Sequence, residues 1–213
     1  MPNTVKEIGM STFINCSSLT DVQLSNNLKT ISFRAFGDCL SLKEITIPEG
    51  VQEMGGFVFQ SCNLTKISFP KSLETIDQNC FWGLKLGNLQ IKEDNEHFIY
   101  ENGMLLSKDR TKIFTITEQS IKGNAFTIPN GIEKLAGGVL EAYAQITKVI
   151  IPESVKELEA NFFPTMVETI EIDEKNAQYI SINKQICSKD KKILYFCYSK
   201  DRSITLEEGI ETL

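Results

Sequence analysis

Val5-Lys-Glu-Ile8-Gly-Met-Ser-Thr-Phe13-Ile-Asn-Cys16-Ser-Ser-Leu19-Thr-Asp-Val22-Gln-Leu24 is a phrase that recurs. It returns as Leu28, Ile31, Phe36, Cys39, Leu42, Ile45 and Ile47, and again as Val51, Met54, Phe59, Cys62, Leu64, Ile67 and Phe69. The step is 23 residues, from 5 to 28 to 51 and from 16 to 39 to 62. A fixed period of this size is the signature of a stacked-repeat solenoid, in which each unit contacts only its neighbours. All 213 residues therefore read as one elongated domain. Such a body offers an extended binding surface more readily than a catalytic centre.

Within each unit one stretch alternates. Val22 and Leu24 stand against Asp21 and Gln23, the pattern of a strand with one face buried. Equivalent pairs are Ile45/Ile47, Ile67/Phe69, Leu89/Ile91, Phe126/Ile128, Val149/Ile151, Ile170/Ile172 and Ile204/Leu206, which predicts eight strands. Stacked in parallel at strand spacing they would extend roughly 35–40 Å. Turns follow many of them (Pro48-Glu-Gly50, Pro70-Lys-Ser72, Pro129-Asn-Gly131, Pro152-Glu-Ser154). Proline has no N–H for a ladder and glycine tolerates positive φ, so both belong at strand ends. After the turn come an apolar pair three apart and then a large residue (Phe13, Phe36, Phe59, Phe81, Leu140, Phe163), read as a short helical or irregular return. The expected class is an α/β repeat.

Arg34-Ala-Phe36-Gly-Asp-Cys39-Leu-Ser-Leu42-Lys-Glu-Ile45-Thr-Ile47-Pro48 carries the pattern most fully. It resembles the BspA-like, or treponemal-type, leucine-rich repeat, with departures at Leu140 and Tyr143, where Phe and Cys are expected. The resemblance covers nearly the whole chain. It implies a right-handed leucine-rich-repeat solenoid with its strands on a concave face. It also implies a cell-surface or secreted adhesin that contacts host matrix or plasma proteins of the fibronectin and fibrinogen class, or takes part in bacterial coaggregation.

Residues 92–125 and 173–203 break the short period but match each other at an offset of about 81, as in Asn95 with Asn176 and Ser107-Lys-Asp109 with Ser188-Lys-Asp190. Each reads as a β-hairpin inserted around a charged turn. Inserts in solenoids map to one face, often the binding face, although ornament packed on the edge is the plainer reading.

The formal charge of −6 argues against non-specific nucleic-acid binding, which rests on Lys and Arg contacts to phosphate. No apolar run reaches the ~18 residues of a membrane span. Met1 to Glu7 already read as repeat rather than as a leader, and Glu208 to Leu213 as the start of another unit. The sequence is therefore expected to be a fragment, with compartment signals outside it.

Chemistry is sparse. Cys16, Cys39 and Cys62 share one repeat position and should form a packed column, not a zinc or disulfide set. Cys80, Cys187 and Cys197 read as packed too. His97 is the only histidine, and its counterpart at the 81-residue offset is Gln178, so it reads as a solvated loop residue. Asn15-Cys-Ser17 and Asn63-Leu-Thr65 match the glycosylation pattern but fall beside the cysteine column. No catalytic, cofactor or metal residues are assigned. The binding surface expected from architecture consists of outward strand positions: Asp21, Gln23, Glu44, Thr46, Lys66, Ser68, Gln90, Lys148, Ile150 and Glu171. Two other readings of the function stay open: an intracellular scaffold or regulator, and the repeat arm of a larger enzyme.

Overall fold

The structure, a computed structural model, describes residues 1–158 and 160–213. The chain winds into a β-solenoid whose coils feed two separate parallel ladders. One consists of Glu44–Thr46, Lys66–Phe69 and Asn88–Ile91. Its register places Ile45, Ile67 and Leu89 in one buried row and Thr46, Ser68 and Gln90 in the neighbouring outward row. The other ladder stacks the two-residue strands Glu7–Ile8, Thr30–Ile31, Glu53–Met54 and Thr75–Ile76. Each holds the second member of the apolar pair that follows a turn, such as Met54 and Ile76, for which the sequence predicts no sheet. At Gly55 a Cβ would meet the Phe33 backbone nitrogen at 2.7 Å, so glycine is what allows the two coils to approach there.

Of the two forms expected for the return, helical or irregular, the return is irregular. Among the described residues the only helical segments are two 3-10 turns, Glu118–Ser120 and Ala160–Phe162, so the α/β description is corrected to a nearly all-β one. The reason lies in where the N–H groups go. Ser11, Phe13 and Asn15 donate to the carbonyls of Phe33, Ala35 and Gly37, and Arg34, Phe36 and Asp38 to those of Gly56, Val58 and Gln60, at 2.8–3.0 Å. Alternate amides of the return thus bond to the next coil and are not free for an i–4 helix ladder. Left-handed φ values recur at matching positions, near +55° at Ser11, Arg34 and Phe57 and near +60° at Asn15, Asp38 and Ser61. The phenylalanine rings stack down the coils, Phe13 to Phe36 at 5.2 Å and Phe36 to Phe59 at 5.9 Å.

Two antiparallel blocks interrupt the winding. Phe98–Glu101, Met104–Ser107 and Lys112–Ile116 form the first, with a bulge between Ile113 and Thr115. Tyr179–Ile182, Gln185–Ser188 and Leu194–Cys197 form the second. Each has three strands where a hairpin predicts two. Between the blocks lies a parallel sheet of Ala125–Thr127, Lys148–Ile151 and Thr169–Ile172. The outward ladder is consequently two three-stranded sheets and not one stack of eight. Val22/Leu24 and Ile204/Leu206 lie outside any strand. Leu24 is buried without a ladder, while Ile204 and Leu206 are exposed: apolar alternation at these two places secures neither backbone pairing nor, in the second, burial.

The core falls into two clusters joined by the first block. Leu105 packs into the first cluster, and its neighbours Met104 and Leu106 pack into the second. Alternate side chains of one strand point to opposite faces, so this strand joins the two halves.

Candidate functional site

The outward row Thr46, Ser68 and Gln90 is the floor of the site. Adjacent parallel strands in register hold these side chains in line, and Ser68 Oγ lies 3.4 Å from Gln90 Oε1. Two register positions earlier, Lys66 Nζ is 3.5 Å from a Glu44 carboxylate oxygen, an exposed pair of small energetic weight. The first antiparallel block supplies a wall. Phe98, Ile99 and Tyr100 face Leu89, Gln90 and Ile91 across a cleft of about 870 Å³, rimmed by Glu49, Lys92 and Glu93.

A buried asparagine fixes that wall. Asn95 Nδ2 donates to the carbonyls of Pro70, Lys71 and Leu73 at 3.3, 2.9 and 2.9 Å, and its Oδ1 accepts from the backbone N–H groups of His97 and Phe98. The loop leaving Ile91 is thereby tied to the preceding turn, which sets where Phe98 begins. Tyr100 is held from the far side, its hydroxyl 3.0 Å from Thr117 Oγ1. Nearby, Lys71 and Asp94 pair at 3.0 Å; that contact holds the Asp94 carboxyl below its ordinary range and the Lys71 ammonium above its own.

The arrangement returns 81 residues on. Thr127, Ile150 and Glu171 are in register, Lys148 Nζ pairs with Glu171 at 2.7 Å, and a cleft of about 490 Å³ opens beside them. Asn176 Nδ2 donates to Pro152 and Val155, and its Oδ1 accepts from the N–H groups of Gln178 and Tyr179. Eight of the ten sequence-nominated residues thus fall on the two outward three-stranded sheets. Asp21 and Gln23 do not; they lie off the strands and line a third cleft of about 740 Å³ with Glu44 and Thr46.

Neither the Phe98–Tyr100 wall nor the role of the two asparagines follows from strand alternation; the asparagines' identity at matching positions is the one signal of them in the sequence. Tyr143 has a structural role that the repeat pattern does not announce: its hydroxyl donates to Ile116 O at 2.6 Å and accepts from Leu86 N–H at 3.2 Å. Burial pushes that phenol well above its ordinary pKa.

The groups weighed for chemistry have structural settings. Cys39 Sγ lies 3.2 Å from Phe13 O and Cys62 Sγ 3.0 Å from Phe36 O, each thiol bonding back to the previous coil. Burial pushes the Cys62 thiol up to about 12. His97 is exposed, with its ring beside Phe98. Among the described residues no group of three or more His, Cys, Asp or Glu side chains is placed to hold a metal, and no helix is long and apolar enough to cross a membrane.

Comparison with known proteins agrees with this architecture. A leucine-rich repeat protein from Eubacterium ventriosum superposes with a TM-score of 0.58 at 18% identity, covering 78% of this chain and 57% of its own. A leucine rich cell surface protein from Faecalibacterium prausnitzii gives 0.58 at 25% identity, covering 78% of this chain and 51% of its own. The chain therefore spans little more than half the length of either. No curated protein matches it in sequence. The pattern described as BspA type leucine rich repeat region matches in six copies, over residues 1–104 and 111–207. The chain belongs to the BspA-type leucine-rich-repeat family.

Proposed function

We propose that this chain is a non-catalytic protein-binding module, acting as one domain, that takes its partner on the outward strand face. The observation that carries the reading is the register of Thr46, Ser68 and Gln90 along the floor of the 870 Å³ cleft. A cleft of that size, with an apolar wall and a few aligned polar groups, lies within the ~300–1,000 Å³ range of ligand sites. We take the 23-residue step as the unit of the solenoid and residues 92–125 and 173–203 as inserts that shape the clefts. The Faecalibacterium relative is described as a cell surface protein, which supports a surface or secreted location. The partner we favour is an extracellular matrix or plasma protein of the fibronectin or fibrinogen class.

The test is label-free binding of the chain to immobilised fibronectin and fibrinogen at two salt concentrations, alongside Gln90→Ala, Lys66→Glu and Lys148→Glu. Saturable binding that weakens severalfold in these variants is the expected result. No saturable binding to either protein, or binding indifferent to all three substitutions, overturns the reading.

A further inference from the structure

Trp82 is the one tryptophan of the chain, and it lies on the return side of the solenoid. Its indole is seated on Gly138, where a Cβ would meet Cδ2, Cγ and Cε3 of the ring at 2.5–2.9 Å. Any larger residue at 138 would displace it. The coils stay joined here across the first block: Gly83 N–H donates to Gly138 O at 3.4 Å, and Gly138 N–H to Asn161 O at 3.1 Å.

Trp82 lines a cleft of about 320 Å³ that shares no residue with the strand-face clefts. The second block supplies more aromatic lining. Phe163 and Phe196 stack at 4.6 Å with 18° between their planes, and Tyr198 follows Phe196 at 6.3 Å and 17°. Trp82, Phe196 and Tyr198 are all half-buried. Polar groups complete the lining. The Glu141 and Asn161 side chains are exposed, and among the described residues neither makes a hydrogen bond or ion pair. Lys200 reaches Glu168 loosely, at 3.8 Å.

The volume lies within the ~300–1,000 Å³ range of ligand sites, and aromatic walls with a few polar groups are their usual lining. Two ligand chemistries favour aromatic walls. A cation needs rings that converge on it, with no competing charge. Here three rings run nearly parallel, and Lys200 would repel a cation. A pyranose instead has an apolar C–H face, which suits the negative face of an aromatic ring, and a rim of hydroxyls. Glu141 and Lys200 balance in charge, which fits a neutral sugar.

We propose that this cleft binds a neutral hexopyranose, the terminal sugar of a glycan. The sugar's C–H face meets the aromatic lining, and its hydroxyls donate to Glu141 and Asn161 and accept from Lys200. The site is separate from the strand face and adds a second ligand class to the chain.

The experiment follows Trp82 fluorescence while the chain is titrated with methyl glycosides of glucose, galactose, mannose and N-acetylglucosamine, and with tetramethylammonium chloride. At least one glycoside should change the emission saturably, and tetramethylammonium should not. Glu141→Ala removes an exposed, unbonded carboxylate and keeps the probe. It should raise the glycoside Kd about tenfold, the effect of losing a hydrogen bond to a charged group. Lys66→Glu, on the strand face, should leave that Kd unchanged, so failure of the protein-binding reading and failure of this one are told apart. Emission indifferent to every glycoside overturns the proposal. Saturation by tetramethylammonium alone overturns it too, in favour of a cation site. So does a glycoside Kd that Glu141→Ala and Asn161→Ala together leave unaltered.

Discussion

Asn95 Nδ2 lies 2.9 Å from the carbonyl oxygen of Leu73, and 81 residues on Asn176 Nδ2 lies 3.0 Å from that of Val155. Both asparagines are fully buried, and each ties the start of an antiparallel block to the turn before it. Only an amide serves, because the carbonyls it meets need a donor while the two N–H groups on its other side need an acceptor. Asn95→Asp keeps the shape but turns acceptor oxygens toward the carbonyls of Pro70, Lys71 and Leu73. Leaving buried groups unpaired costs ~1–3 kcal/mol each, so a loss of about 3 kcal/mol is expected in urea unfolding. Asn95→Asp with the stability of the parent would show that the latch contributes nothing.

Tyr143 closes the joint between the two halves. It stands where the repeat pattern calls for cysteine, and the larger side chain reaches Ile116 O and Leu86 N–H at once. Tyr143→Phe keeps the ring and deletes both bonds, which should cost about 2 kcal/mol. It should also speed amide exchange at Leu86 and loosen the Leu86–Thr117 bridge. If thermal unfolding and exchange at Leu86 are both unchanged, the hydroxyl is not the fastening.

How far the sequence alone could be read depends on which force set each feature. The coil stacking was legible because burial imposes a period, and Ile45, Ile67 and Leu89 share one register position because each must be buried. The second ladder was not, since strands as short as Thr30–Ile31 leave too little alternation to detect. The return arc stays ambiguous between helical and irregular in the sequence because its apolar spacing of three imitates a helix, while its hydrogen bonds run to the next coil. Of the site, the outward floor residues followed from alternation. The wall at Phe98 to Tyr100 did not, because its position depends on Asn95 bonding to residues more than twenty positions earlier.

Thiol chemistry reports on the packing of the coils. With Cys62 pushed up to about 12 and bonded to Phe36 O, only about one molecule in ten thousand carries that thiolate at pH 8. Cys39, Cys80 and Cys187 are buried as well, whereas Cys16 and Cys197 are partly exposed. Iodoacetamide at pH 8 should therefore modify Cys16 and Cys197 first, and the other four only at the rate of unfolding, as peptide mass mapping would show. Rapid native labelling of Cys62 would mean that the third coil does not close on the second.

Tyr100 and Thr117 touch through their hydroxyls at 3.0 Å, and at the same offset Ser181 and Tyr198 touch at 3.0 Å with the large and small partners exchanged. The contact is thus kept while the identities reverse, so the pair and not either residue is what the block requires. In the first block Thr117→Tyr alone should overpack against Tyr100 and cost ~1–3 kcal/mol. Adding Tyr100→Ser should return most of that loss, giving a coupling energy of at least about 1 kcal/mol in a double-mutant cycle read by urea unfolding. Additive losses in the cycle would show that the two blocks use these positions independently. Because Tyr100 also lines the cleft, the swapped variant should regain stability and still lose affinity for any ligand held against that wall.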